Sequence, residues 1–153
     1  MKVKDLCTLD TQIIEKNETA QAAALAMQEA KVGSLVVVDT LPNGDLPIGI
    51  ITDRDIALRV ASQDVRPSML VVADFVSETL LTVRGKEDVY DVLGKMRQKS
   101  VRRVPVVDKT GFLIGIISID DILEFLVGEL KEMTSIMKHE PERVQTIGFL
   151  KSR

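Results

Sequence analysis

The sequence predicts an α/β (α+β) fold made of two pseudo-symmetric β-α-β-β-α units packed sheet to sheet, followed by a helical extension. Three observations predict it. The segment Gly49-Ile50-Ile51-Thr52-Asp53-Arg54-Asp55-Ile56 returns as Gly115-Ile116-Ile117-Ser118-Ile119-Asp120-Asp121-Ile122, with five of eight residues identical. The surroundings return as well: Val3-Lys4-Asp5 matches Val72-Ala73-Asp74, Met27 matches Met96, and Leu35–Asp39 matches Val104–Asp108. Apolar periodicity alternates between short β-branched runs and helical stripes in the same order in both halves.

Each element follows from its residues. A short extended segment opens each copy, at Gln12–Glu15 and Leu81–Arg84. The first helix runs over about Thr19–Lys31, with Ala20, Ala23, Ala24 and Met27 on one face. Its counterpart runs over about Asp88–Lys99, with Val89, Val92, Leu93 and Met96. An Asp/Glu/Thr-rich start opens each of these helices. The β-branched strands Ser34–Asp39 and Val104–Asp108 come next. Turns at Leu41-Pro42-Asn43-Gly44-Asp45 and Lys109-Thr110-Gly111 each supply a glycine for positive φ. The closing strands are Ile48–Ile51 and Leu113–Ile117, and second helices begin near Asp53 and Asp120. The repeat spacing is 69 residues before the hairpin and 66 after it, because the first loop is longer. These boundaries give units at 1–66 and 67–128, with an extension and tail at 129–153. The linker is Ser62–Ser68, where Pro67 breaks any helix. One copy of about 60 residues is too small for a generous core, so the copies are expected to bury faces against each other.

Composition narrows the function. The net charge is −3 and no long basic run occurs, which disfavours nucleic acid as a partner. With one cysteine, Cys7, and one histidine, His139, neither an internal disulfide framework nor the usual zinc sets can be assembled. A reducing cytoplasmic setting is the expectation. The N-terminus has no apolar signal core, and no uncharged stretch approaches a transmembrane length, so no membrane partner is expected. No P-loop or dinucleotide fingerprint is present and acid–base or nucleophilic groups are few, so the chain reads as a non-enzyme.

The repeated signature Gly-h-h-Thr/Ser-x-x-Asp, each time preceded by a hairpin and an apolar strand ending in Asp, resembles the CBS domain, over about residues 1–128. Such domains occur in pairs, called Bateman modules, that sense small molecules. The resemblance implies adenine-nucleotide ligands (AMP, ADP or ATP, with Mg²⁺ beside a polyphosphate) or adenosyl relatives such as S-adenosylmethionine. It implies ribose binding by Asp55 and Asp121, with Thr52 and Ser118 on ribose or phosphate. The chemistry is suitable: a strand-to-helix junction exposes unpaired N–H groups to anions, and a carboxylate accepts from both ribose hydroxyls. The same Ser/Thr-x-x-Asp spacing is also a helix capping box, which requires no ligand.

Phosphate-side candidates are Arg54, Arg102 and Arg103, which can equally be solvated surface charge. An apolar base cleft is expected from Thr11, Gln12 and Ser34 in one copy and Leu80, Leu81 and Pro105 in the other, where ordinary core packing is the alternative. Two unequal clefts are anticipated: a first with Arg54 and a Gly33-Ser34 wall, and a second with Arg102-Arg103 at its rim and Asp120 as an extra carboxylate. Beyond the repeats, Leu123, Leu126, Leu130, Met133 and Met137 form an apolar stripe, with Gly128 marking a site for a bend and Pro141 the end. That stripe suits packing on the chain's own domain or on a second subunit, and CBS pairs commonly form homodimers. His139 reads as a surface residue and Val144–Leu150 as an apolar tail. With no effector domain in the chain, output is expected to pass to a separate, unidentified effector protein. The competing function is a ligand-free dimerisation or scaffold module.

Overall fold

A computed structural model describes residues 1–76 and 79–138. The β-α-β-β-α order is borne out in both copies. The first comprises β1 (Ile13–Glu15), α1 (Ala20–Ala30), β2 (Ser34–Leu41), β3 (Gly44–Thr52) and α2 (Asp53–Gln63). The second comprises β4 (Val83–Arg84), α3 (Val89–Lys99), β5 (Arg103–Val107), β6 (Leu113–Ser118) and α4 (Ile119–Lys138). Each sheet has three strands, the first parallel to the second and the second antiparallel to the third. Both sheets carry a register shift at the same place, Val37/Val38 and Val106/Val107. The repeat therefore extends to the bulge that bends each hairpin.

Local chemistry sets the boundaries. Thr19 Oγ1 accepts from the Ala22 N–H at 3.1 Å to start α1, and Asp88 accepts from the Tyr90 N–H at 3.0 Å to start α3. Both helices end on a non-glycine residue in the left-handed region, Lys31 and Ser100, each with φ 54°. Gly44 (φ 147°) and Gly111 (φ 96°) turn the two hairpins. In α1 Ala20, Ala23 and Met27 are buried as expected, but Ala24 is exposed. It projects from the flank of the helix into a groove beside α2.

Strand β2 is buried on both faces. Leu35 and Val37 pack into a core with Ala23, Met27, Ile51 and Ile56, while Val36 and Val38 belong to the opposite face. Val104 and Val106 of β5 repeat this in a second core with Val92, Met96, Ile117 and Ile122. Strands β3 and β6 meet across the sheet-to-sheet interface.

The two copies also exchange their leading segments. The turn at Val3–Asp5 belongs in sequence to the first copy, yet Val3 is fully buried in the second core. Its N–H donates to Glu87 O at 3.0 Å, and the Lys4 N–H to Gly85 O at 2.9 Å. Reciprocally Val72, in the turn Val72–Phe75, is fully buried in the first core, with its N–H donating to Glu18 O at 2.8 Å. Each such valine contributes roughly 1.5–3 kcal/mol by burial, so the exchange fastens each copy to the other.

Helix α4 runs unbroken through Gly128 to Lys138, without the anticipated bend. Leu130, Met133 and Met137 are 60%, 59% and 74% exposed, so the described end of the stripe is largely uncovered. No described helix is long and apolar enough to cross a membrane. The expectations for His139, Pro141 and Val144–Leu150 lie outside the described residues.

Two clefts between the repeats

Both signatures form capping boxes. The Thr52 N–H donates to Asp55 Oδ2 at 3.0 Å, and the Asp55 N–H donates back to Thr52 Oγ1 at 3.1 Å. At the head of α4 the Ser118 N–H donates to Asp121 Oδ2 at 2.7 Å, and the Asp121 N–H to Ser118 Oγ at 3.2 Å. The Ser118 hydroxyl also donates to Asp121 Oδ2. Each arrangement satisfies N–H groups that a helix start leaves open.

The two boxes differ in what faces them. Ser118 and Asp121 line a cavity of about 230 Å³ whose other wall comes from the first copy: Thr11, Gln12, Ser34 and Val36. Thr8 and Asp10 also line it. Sequence reading missed these two because nothing local reports their position. Thr8 is held there by a pair of backbone bonds, its N–H to Ile116 O and the Ile116 N–H to its own O, both 2.9 Å. Ser34, the register partner of Thr52 on the neighbouring strand, thus faces the second signature across the cavity. The cause is the exchange of leading segments, which sets the opening strands of one copy against the closing strand of the other.

The pseudo-symmetric cavity, also about 230 Å³, is lined by Leu80, Leu81, Thr79 and Val101 of the second copy and by Gly49 and Ile50 of the first. Phe75 and Val76 complete it. Arg59 of α2 sits over the Phe75 ring, 4.8 Å from its centroid, and holds that wall in place. Thr52, Arg54 and Asp55 are not among the described lining residues of this cavity, and Arg54 and Asp55 are exposed. Pro105 is buried in β5 and lines neither cleft.

Arg103 lines both cavities. It is the repeat mate of Ser34, and its Nη1 donates to Ser34 Oγ where the two clefts meet. Arg102 instead turns outward to Asp120 at 3.4 Å, with both side chains largely exposed. Exposed pairs of this kind contribute about 0–1 kcal/mol. Cys7 packs behind the second cleft, its Sγ next to Gly115. Burial pushes its thiol above the usual range; a backbone hydrogen bond opposes this, and the charges of Asp121 and Asp5 add to the rise. A thiol held protonated is a poor nucleophile.

A larger cavity, about 640 Å³, lies between α1 and α2 and takes Asp53 and Ile56 of the first signature segment into its wall. Ala24, Leu25, Met27, Ile56 and Val60 make most of its wall apolar. It is a groove on the helical face whose polar lining is Gln21, Gln28, Lys31 and Asp53, with no hydroxyl among its described lining residues.

The chain matches the CBS domain family twice, over residues 3–62 and 72–128. It is 39% identical over 118 residues to the uncharacterized protein MK0525 of Methanopyrus kandleri, covering 75% of this chain and 59% of that one. It is 35% identical over 121 residues to the uncharacterized protein YlbB of Bacillus subtilis, covering 79% of each. The solved CBS domain pair of protein MJ0100, in complex with 5′-methylthioadenosine and S-adenosyl-L-methionine, superposes with a TM-score of 0.71 at 26% identity, covering 84% of this chain and 98% of that one. Two matched segments, joined by exchanged leaders and facing sheets, make this chain a member of the CBS domain family that carries a tandem pair.

Proposed function

We propose that the chain is a regulatory module that binds an adenosyl ligand, AMP, ADP, ATP or a phosphate-free relative, in the clefts between its repeats. The observation that carries this is the convergence of Ser118, Asp121, Thr11, Gln12, Ser34 and Arg103 on one cavity from both copies. Hydroxyl, amide, carboxylate and guanidinium groups meet there beside the apolar Val36 and Ile116, the combination that orients a small polar ligand. The adenosyl ligands of the MJ0100 pair support the ligand class. With ATP, Asp120 at the rim calls for Mg²⁺ beside the phosphates. Because each cleft takes walls from both copies, a ligand that fits one relative placement of the copies better shifts the population toward it. The role is binding and not turnover, exercised in the cytoplasm on a separate effector protein, by a homodimer.

The test is calorimetric titration with AMP, ATP and S-adenosylmethionine. Binding that Asp121→Ala abolishes while the fold persists is the expected result. Absence of binding at millimolar ligand overturns the proposal.

One observation favours a second reading, a ligand-free dimerisation scaffold. Both capping boxes are closed, so Thr52/Asp55 and Ser118/Asp121 have a structural task already. Under that reading Asp121→Ala lowers stability by about 0.5–2 kcal/mol and nothing else changes.

A further inference from the structure

Arg103 has an environment that its repeat mate does not. Its guanidinium is half-buried and takes part in none of the described ion pairs. Its one described polar side-chain contact is the uncharged Ser34 hydroxyl. A half-buried guanidinium hydrogen-bonded only to a neutral hydroxyl can still gain a charge-assisted contact by accepting an anion. Arg103 is also the only cationic residue among the described lining residues of either cleft. Two cavities thus share one positive charge at their junction.

We propose that Arg103 is a common anion anchor, so that the chain holds one phosphate-bearing ligand at a time. The proposal rests on the reading of the clefts as nucleotide sites and adds the coupling between them. A nucleotide phosphate carries roughly −1.5 to −2 charges. The first to bind draws the guanidinium away from Ser34 and neutralises it. A second phosphate would then meet an anchor already matched, across a short gap from a like charge. In the cleft of Ser118 it would also face Asp10, Asp121 and the Arg102-paired Asp120, with no other cation among the described lining residues. A ligand without phosphate makes no claim on Arg103 and escapes the exclusion. One chain can therefore hold a nucleotide in one cleft and a nucleoside in the other.

The experiment is isothermal titration of the full chain with AMP and, separately, with adenosine. The expected result is a first AMP bound at least about 10-fold more tightly than a second, while adenosine fills two sites without that separation. Arg103→Ala should weaken the first AMP site by about 10- to 100-fold, the range for a charge-assisted contact, and remove the gap between the two AMP sites. Arg103→Gln serves as a second variant in case alanine impairs folding, with circular dichroism reporting the fold of both. Two AMP sites of equal affinity in the unaltered chain overturn the proposal, as does an AMP affinity that neither variant changes. A single adenosine site overturns it too, since exclusion would then owe nothing to charge. Binding of neither AMP nor adenosine defeats the nucleotide reading itself, and the coupling with it.

Discussion

Gly115 of β6 is where the exchanged leader presses on the second copy, and Gly115→Ala tests that contact. A Cβ there would lie 2.8 Å from the backbone oxygen of Thr8 and 3.5 Å from Cys7 Sγ. Ordinary contact begins near 3.4 Å, so the leader must move by about 0.6 Å. Thr8 cannot give freely, because two 2.9 Å hydrogen bonds tie it to Ile116. Stretching them weakens contributions of about 0.5–1.5 kcal/mol each, and overpacking in general costs about 1–3 kcal/mol. The expected loss is about 2–3 kcal/mol, a fall in Tm of about 4–12 °C for a chain of this size. The control is Gly94→Ala in α3, where an added Cβ meets nothing within 4 Å. That change should stabilise by about 0.5–1 kcal/mol, because alanine loses less backbone freedom on folding. Thermal unfolding followed by circular dichroism measures both. A Gly115→Ala Tm within about 1 °C of the unaltered chain would refute the placement of the leader against β6. A Gly94→Ala variant that falls as far as Gly115→Ala would do the same, since the loss would not be specific to the contact.

Ser100→Gly should raise stability by up to about 1 kcal/mol, read as a higher midpoint in urea, because glycine holds φ 54° without the Cβ penalty. Acid should destabilise the chain through two carboxyls. The Asp108 carboxyl is lowered from 3.8, chiefly by the Thr110 hydroxyl and then by backbone N–H groups of its turn, with burial opposing. Burial alone would raise Glu87, but the Lys95 hydrogen bond, the Arg84 N–H and the neighbouring charges bring it below 4.5. A carboxyl lowered by folding adds stability above its unfolded value and loses it as pH falls through the folded one. Urea midpoints should therefore drop from about pH 5 downward, and Asp108→Asn should flatten part of that slope. Cys7 should react with iodoacetamide near neutral pH much more slowly in the folded chain than in denaturant. If α4 stripes pair in a dimer, Leu130→Glu with Met133→Glu should shift light-scattering mass to that of one chain without changing the far-ultraviolet spectrum.

Much of the fold is legible in the residues because its signals are local. The helix faces of Val89, Val92 and Met96, the helix starts near Thr19 and Asp88, and the turns at Gly44 and Gly111 each depend on neighbours within a few positions. The site is legible only in part. Ser118 and Asp121 announce themselves by spacing, whereas Thr8 and Asp10 enter through a pairing with Ile116 more than 100 residues away. Arg54 sits inside a signature and still lines no described cleft. Its position after the capping residue aims it outward, a consequence of helix phase relative to the facing sheet.

The sequence by itself determined that this protein is two copies of one unit, with the same strand order, the same caps and a hydroxyl–carboxylate pair at the same junction. Those features follow from periodicity and side-chain chemistry over short spans. Only the tertiary structure decided that Val3 and Val72 lie in each other's core, that Ser34 faces the second signature, and that Arg103 stands between the clefts. These depend on which buried surface each copy hides against the other. That choice is settled by the sum of contacts between residues far apart in the chain, which no local pattern records.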